Sequence, residues 1–308
     1  MSASELARRL DSRPDWNVGG PPCQGFSTVG KRERHDPRNQ MFLEFVRLVR
    51  TLRPEGFLLE NVQGLRDMRF ARDVSTAFEA LGYSVTWQVL RAADFGVPQL
   101  RRRVVFVGNL HGRFFHGPPA SHGPATWVNV SDAIGDLPVV LPGETRTEHI
   151  SPPLTEYQSE MRADSNVLQG HTASNHPDYL VRAISYIPDG GNRSSIPPEL
   201  QPKSGFHNSY SRLNSQQPAV AVTSNMSKPS ASRCIHPFQN RGLTAREGAR
   251  LQSFPDSFHF HGGNVSQRLQ IANAVPPRLG KALGSALASN ASWLDCPPEP
   301  TLPEVNAG

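Results

Sequence analysis

A chain of 308 residues with 37% hydrophobic and 19% charged side chains can bury a doubly wound sheet plus a smaller attached domain, and this composition excludes intrinsic disorder. It has no run of about 20 apolar residues, and residues 1–16 hold no apolar signal core, so neither a membrane span nor a secretory signal is expected and the setting is read as cytoplasmic. The net charge of +5 and pI near 9.4 rest on arginine, because Lys31, Lys203, Lys228 and Lys281 are the only lysines, and guanidinium forks suit phosphates and guanine edges, as a nucleic-acid partner requires.

Residues 15–109 alternate short apolar runs with helical periodicity. Residues 17–20 read as the end of a strand, 41–52 as a helix with Phe42, Phe45, Val46 and Val49 on one face, and 56–60 as a second strand. A helix over 71–81, a strand over 84–90 and a fully buried strand over 104–108 follow. This order predicts an α/β fold on a largely parallel, doubly wound sheet, with ligand chemistry at the carboxyl ends of the strands.

Between residues 110 and 215 the order gives way to proline, glycine, histidine and polar residues, punctuated by Gly117-Pro118-Pro119, Pro152-Pro153, Gly190-Gly191 and Pro197-Pro198. Trp127, Ile134, Leu137, Tyr186 and Ile187 offer a small core there, which favors an ordered, loop-rich domain over a disordered insertion. Thr244 is placed to cap a helix over 245–251, and Leu279, Leu283 and Leu287 mark a last helix over 278–289. Pro297, Pro298, Pro300 and Pro303 predict a loose tail over 293–308.

Cys23, Cys234 and Cys296 are scattered without Cys-x-x-Cys spacing, so neither disulfides nor a metal site are expected. A lone cysteine is ordinarily an inert core residue, but Cys23 sits in Gly19-Gly20-Pro21-Pro22-Cys23-Gln24-Gly25-Phe26-Ser27, directly after the first strand. Glycines permit close backbone approach and prolines stiffen the turn, so the thiol is held at a strand tip. Glu60-Asn61-Val62 ends the second strand; its carboxylate suits either a helix cap or an acid facing the same pocket. Gln99-Leu100-Arg101-Arg102-Arg103 leads into the buried strand, where alternation places Arg101 and Arg103 on one face and at least one arginine toward the interior or a cleft.

These residues resemble the DNA cytosine-5 methyltransferases. Pro22-Cys23-Gln24 is similar to the family's nucleophile loop, Glu60-Asn61-Val62 to its Glu-Asn-Val motif, and Gln99, Arg101 and Arg103 to its Gln-x-Arg-x-Arg motif. Arg241-Gly242-Leu243-Thr244-Ala245-Arg246-Glu247 with Leu251-Gln252-Ser253-Phe254-Pro255 is similar to the ninth motif, and residues 270–277 to the tenth, where Ala272 replaces the usual Gly. The resemblance implies a partial, Rossmann-like S-adenosylmethionine-dependent methyltransferase sheet over 1–109, a target recognition domain over 110–215, and a return to the catalytic domain over 216–292. It also implies that Cys23 attacks carbon 6 of a flipped cytosine in double-stranded DNA, with Glu60 serving N3, Arg103 holding O2 and Arg101 positioning the base and the thiol. Gly20, Pro22, Asn273, Ala274 and Val275 would border the cofactor, and Gln24, Ser27, Gln99 and Arg241 would meet DNA.

RNA readings fit less well. The second catalytic cysteine of the large RNA class is absent, and the transfer-RNA enzyme of the same fold carries Pro-Phe-Thr where this chain has Gly25-Phe26-Ser27. The family's Phe-x-Gly-x-Gly cofactor loop does not occur among the 22 residues before Cys23, so this chain alone is expected to bind the methyl donor weakly or not at all. Three readings of that departure stand: an enzyme whose recorded start is too late, a split enzyme needing an N-terminal partner subunit that carries the loop, or an inactive relic that binds DNA.

Overall fold

The computed structural model describes residues 3–21, 41–62, 68–165, 167–202, 209–231 and 233–298. The chain forms two compact units, one of Met1–Arg91, Arg102–Pro119 and Ala282–Gly308, the other of Ala92–Arg101 and Ala120–Lys281.

The first unit opens with α1 (Ala3–Arg9) and β1 (Trp16–Gly19), then α2 (Met41–Leu52), β2 (Gly56–Val62), α3 (Met68–Glu79), β3 (Ser84–Arg91) and β4 (Arg102–Asn109). α2 forms because Phe42, Phe45, Val46 and Val49 recur at helical spacing, and it ends where Arg53 turns to φ 52° before Pro54. Its buried face meets β2 and α3: Phe57 stacks on Phe78 at 3.9 Å, and Phe45 stands edge-on to both, 6.3 and 6.2 Å away. Each fully buried phenyl contributes roughly 1.5–3 kcal/mol.

The sheet order is β1-β2-β4-β3. β1 pairs parallel to β2, whereas β4 runs antiparallel to both β2 and β3. β1, β2 and β3 therefore share one direction, as the predicted crossovers require, and β4 is a reversed insertion into a sheet expected to be largely parallel. The segment between β3 and β4 holds only a four-residue 3-10 turn, Ala92–Phe95, which is too little for the helical crossover a parallel pairing needs. Farther along, β5 (Phe114–Phe115) pairs with β8 (Trp293–Leu294), so the predicted loose tail is anchored at Trp293; residues 299–308 lie outside the described residues.

The second unit carries α4 (Val130–Ile134), α5 (Glu156–Arg162), α6 (Asp178–Ile184), β6 (Ser211–Arg212), β7 (Arg233–Ile235), α7 (Ala245–Leu251), α8 (Asn264–Asn273) and the start of α9 (Pro277–Ala288). One core joins Val130, Ile134, Tyr157 and Leu168 to Val222, Met226, Leu251 and Ile271, so no structural boundary falls at residue 215. The cause is α7, whose seven residues are all buried and need cover on every side. Thr244 caps it as predicted, in a capping box with Glu247. A smaller core joins Ala183, Ile184, Ile187, Ile196 and Tyr210 of the proline-rich region to Ile235. Of the expected core residues there, Tyr186 is instead 47% exposed, and Trp127 is half-buried with its indole N–H donated to Asp94. Among the described residues no helix is long and apolar enough to cross a membrane.

Candidate active site

β2 is apolar and buried from Gly56 to Leu59, then turns polar at its carboxyl end. Glu60 pairs with Val105 across the β2–β4 ladder and Val62 with Arg103, so Glu60 and Arg103 are diagonal neighbors on one face. Their side chains meet at 2.6 Å (Arg103 Nε to Glu60 Oε1) and are only 13% and 11% exposed. Arg103 also donates from Nη1 to the Arg102 carbonyl at 2.8 Å. Burial pushes the Arg103 pKa down, and the Glu60 charge and hydrogen bond oppose that shift. The structure thus brings together a carboxyl group and a guanidinium, the acid and cation predicted for the cytosine edge.

Gly20 directly follows β1 and leaves the space beside this pair open: a Cβ there would stand 3.1 Å from Glu60 Oε2. Asn61 supplies an anchor whose role its place in the Glu-Asn-Val motif did not reveal. It is 4% exposed, donates from Nδ2 to the Pro21 carbonyl at 2.9 Å, and accepts the Val62 N–H at 2.8 Å. The last described residue before the nucleophile loop is thereby tied to β2. Pro22, Cys23, Gln24 and Ser27 lie outside the described residues.

The second unit holds the other predicted residues. Arg101 lies before β4 begins, so strand alternation does not govern its direction; it is 4% exposed and donates to the carbonyls of Val222 (3.2 Å) and Ala272 (2.6 Å). Gln99 is 0% exposed: its Nε2 donates to Leu251 O and Gln252 Oε1, and its Oε1 accepts from Val222 N–H. Arg241 is 3% exposed and grips Glu247 through two hydrogen bonds of 2.9 and 2.7 Å, with further donations to Gln239 and the Gly242 carbonyl. Gln99 and Arg241, expected to meet DNA, thus lie inside the second unit. Polar side chains inside a core must be satisfied there, and these serve neighboring backbone and Glu247.

Burial alone would raise the Glu247 carboxyl, but Arg241 and then His236 outweigh it and hold the pKa well below the usual carboxylate range. Arg250 makes a similar buried fork to Asp256, at 2.6 and 2.7 Å, and reaches Asp136 at 3.1 Å. At the end of α8, Asn273 is exposed while Ala274 and Val275 are half-buried. Sequence reasoning placed Gln252 in the ninth motif but gave it no role; it is fully buried and joins Gln99 to the carbonyl of Ile271.

A family model described as C-5 cytosine-specific DNA methylase matches residues 5–289. The chain is similar to the Type II methyltransferase M1.HphI of Haemophilus parahaemolyticus, at 40% identity over 294 residues covering 93% of this chain and 72% of the relative. It is also similar to the Type II methyltransferase M.DdeI of Desulfomicrobium norvegicum, at 37% identity over 305 residues covering 91% and 72%. Among solved structures, a putative DNA modification methyltransferase encoded within an Escherichia coli prophage superposes with a TM-score of 0.73 at 24% identity, covering 94% of this chain and 83% of that one. The Schizosaccharomyces pombe Dnmt2 methyltransferase superposes at 0.51 and 18% identity, covering 93% and 81%. At those identities the two structures establish a shared fold.

Proposed function

This chain belongs to the C-5 cytosine-specific DNA methylase family, and from that premise we propose how its residues divide the work of a DNA (cytosine-5)-methyltransferase. Carbon 5 of cytosine is too weak a nucleophile to be methylated directly, so Cys23 adds as thiolate to carbon 6 and converts the ring to an enamine. Negative charge then develops toward N3 and O2. Glu60 donates a proton at N3 and Arg103 stabilizes O2, interactions stronger in the transition state than in the ground state. Once carbon 5 has gained the methyl group, loss of its proton and expulsion of Cys23 from carbon 6 restore the aromatic ring. A base inside a stacked duplex is out of reach, so the cytosine is flipped out, with Gln24 and Ser27 facing the opened DNA.

The methyl group comes from S-adenosylmethionine, which supplies an electrophilic carbon when bound. By resemblance, Gly20 of the first unit would border it, and it carries no side chain beside Glu60; Asn273 of the second unit would border it too, and it is exposed at the end of α8. Pro22, Ala274 and Val275 complete the assigned set. The names of the relatives support a role in restriction-modification, and the scatter of Cys23, Cys234 and Cys296 without disulfide or metal spacing suits a reducing, cytoplasmic setting.

The observation that carries this reading is the 2.6 Å contact of Glu60 with Arg103 at the carboxyl end of β2. The test is a duplex containing 5-fluorocytosine, which blocks loss of the carbon 5 proton and traps the adduct. A covalent complex that forms with the wild-type chain and disappears in Cys23→Ser supports the assignment. A wild-type chain that forms no adduct in the presence of S-adenosylmethionine refutes it.

A further inference from the structure

A helix leaves its last carbonyls without intrahelical donors, and α8 ends at the turn assigned to the methyl donor. Buried side chains from distant parts of the second unit supply the missing donors. The Ile271 carbonyl accepts from Gln252 Nε2 at 2.7 Å, and the Ala272 carbonyl accepts from Arg101 Nη2 at 2.6 Å. The same Nη2 stands 3.5 Å from the Ala274 carbonyl. A guanidinium at the negative end of a helix dipole is favorably placed, which offsets part of its desolvation.

The donors are themselves linked. Gln99 Nε2 donates to Gln252 Oε1 at 3.1 Å, Gln99 Oε1 accepts from Val222 N–H at 2.8 Å, and Arg101 Nη1 donates to Val222 O at 3.2 Å. Both backbone polar groups of Val222 are thus taken by side chains that also reach, directly or through Gln252, the end of α8. All three side chains are essentially inaccessible, at 0%, 4% and 0% exposure for Gln99, Arg101 and Gln252.

We infer that Gln99, Arg101 and Gln252 form one positioning joint for methyl-donor binding, setting the backbone of the 273–275 turn through the carbonyls of Ile271, Ala272 and Ala274. Arg101 therefore acts through the backbone of that turn, and Gln252 becomes a positioning residue for the reaction. The inference rests on the assignment of Asn273, Ala274 and Val275 to the donor. Chemistry sets the variants. Lysine at 101 keeps the charge but lacks the planar fork that reaches Val222 and Ala272 together. Glutamate at 252 keeps the acceptor for Gln99 but turns its second oxygen against the Ile271 carbonyl.

The full chain and its Arg101→Lys, Gln252→Glu and Gln252→Met variants are compared by hydrogen exchange without ligand, by titration with S-adenosylhomocysteine, and by titration with a DNA duplex. We expect amide exchange at 273–275 to accelerate about tenfold and the S-adenosylhomocysteine Kd to rise about tenfold, the size of one lost hydrogen bond to a charged or buried group, with duplex Kd within about twofold. Variants whose exchange at 273–275 matches wild type overturn the joint, as do variants that lose duplex and S-adenosylhomocysteine affinity together. Wild-type chain that shows no S-adenosylhomocysteine binding even at millimolar concentration, where weak binding would still register, overturns the donor assignment and this inference with it. Wild-type binding matched by all three variants overturns the inference alone.

Discussion

Replacing Glu60 by glutamine removes a charge and leaves its neighbors in place. The partner guanidinium lies 2.6 Å away and both side chains are almost nine-tenths covered. Breaking a fully buried ion pair costs roughly 3–5 kcal/mol, because the remaining charge loses its compensation; residual exposure and the amide oxygen that still accepts from Arg103 lower this to about 2 kcal/mol for Glu60→Gln. Arg103→Met likewise strands the carboxylate, whereas the double variant strands nothing. A double-mutant cycle by urea unfolding should therefore show a coupling of about 2 kcal/mol, persisting at high salt because a covered pair is weakly screened. Methylation behaves differently: Glu60→Gln should lose roughly 100- to 10,000-fold in rate, and the double variant should not recover it. Single-variant effects that add to within about 0.5 kcal/mol would show that the pair is not coupled, and the argument from its geometry would fail.

Further outcomes follow from other contacts. Asn61→Asp places an acceptor against the Pro21 carbonyl where the amide donated, and should slow adduct formation with 5-fluorocytosine DNA while lowering stability by about 2 kcal/mol; an unchanged adduct rate would remove Asn61 as the anchor of the loop. Gly242→Ala would set a Cβ 2.4 Å from the Ser227 backbone, which has little room to give, and should lower stability by about 3 kcal/mol in chemical denaturation. Thr244→Ala removes the hydroxyl that caps α7 and should cost about 1–2 kcal/mol by the same measurement.

The acid response has a definite sign. Burial pushes His236 down to about 4 against the opposing charge of Glu247, and burial also lowers His149, His171 and His176. Each ring takes its proton in the unfolded chain, below about pH 6.5, before it does in the folded one, so stability falls as the pH drops from that value, and for His236 the loss continues down to about 4. His236 alone accounts for about 3 kcal/mol of that loss, and His236→Gln should flatten the pH dependence of the urea midpoint between those values.

Much of the framework was legible because it is local. The spacing of Phe42, Phe45, Val46 and Val49 defined α2 to the residue, the apolar run before Glu60 defined β2, and Thr244 three residues ahead of Glu247 announced the cap of α7. Glu60 and Arg103 were readable as an acid and a cation because both stand at the boundary of an apolar strand. Gln99, Arg101 and Arg241 share those residue types, yet pattern alone did not tell a polar group facing a ligand from one satisfied inside the core.

By itself, the order of residues determined the family to which the chain belongs and which ionizable side chains stand at the strand ends. The folded chain decided matters of pairing: that β4 runs against its neighbors, that residues before and after 215 share one core, and that Gln99 and Arg101 are engaged with backbone at Val222 and the end of α8. The physical reason is range. Helical periodicity and capping involve residues three or four positions apart, whereas the carbonyl that claims Arg101 belongs to Ala272, and only folding brings a donor and an acceptor so distant in the chain within hydrogen-bonding reach.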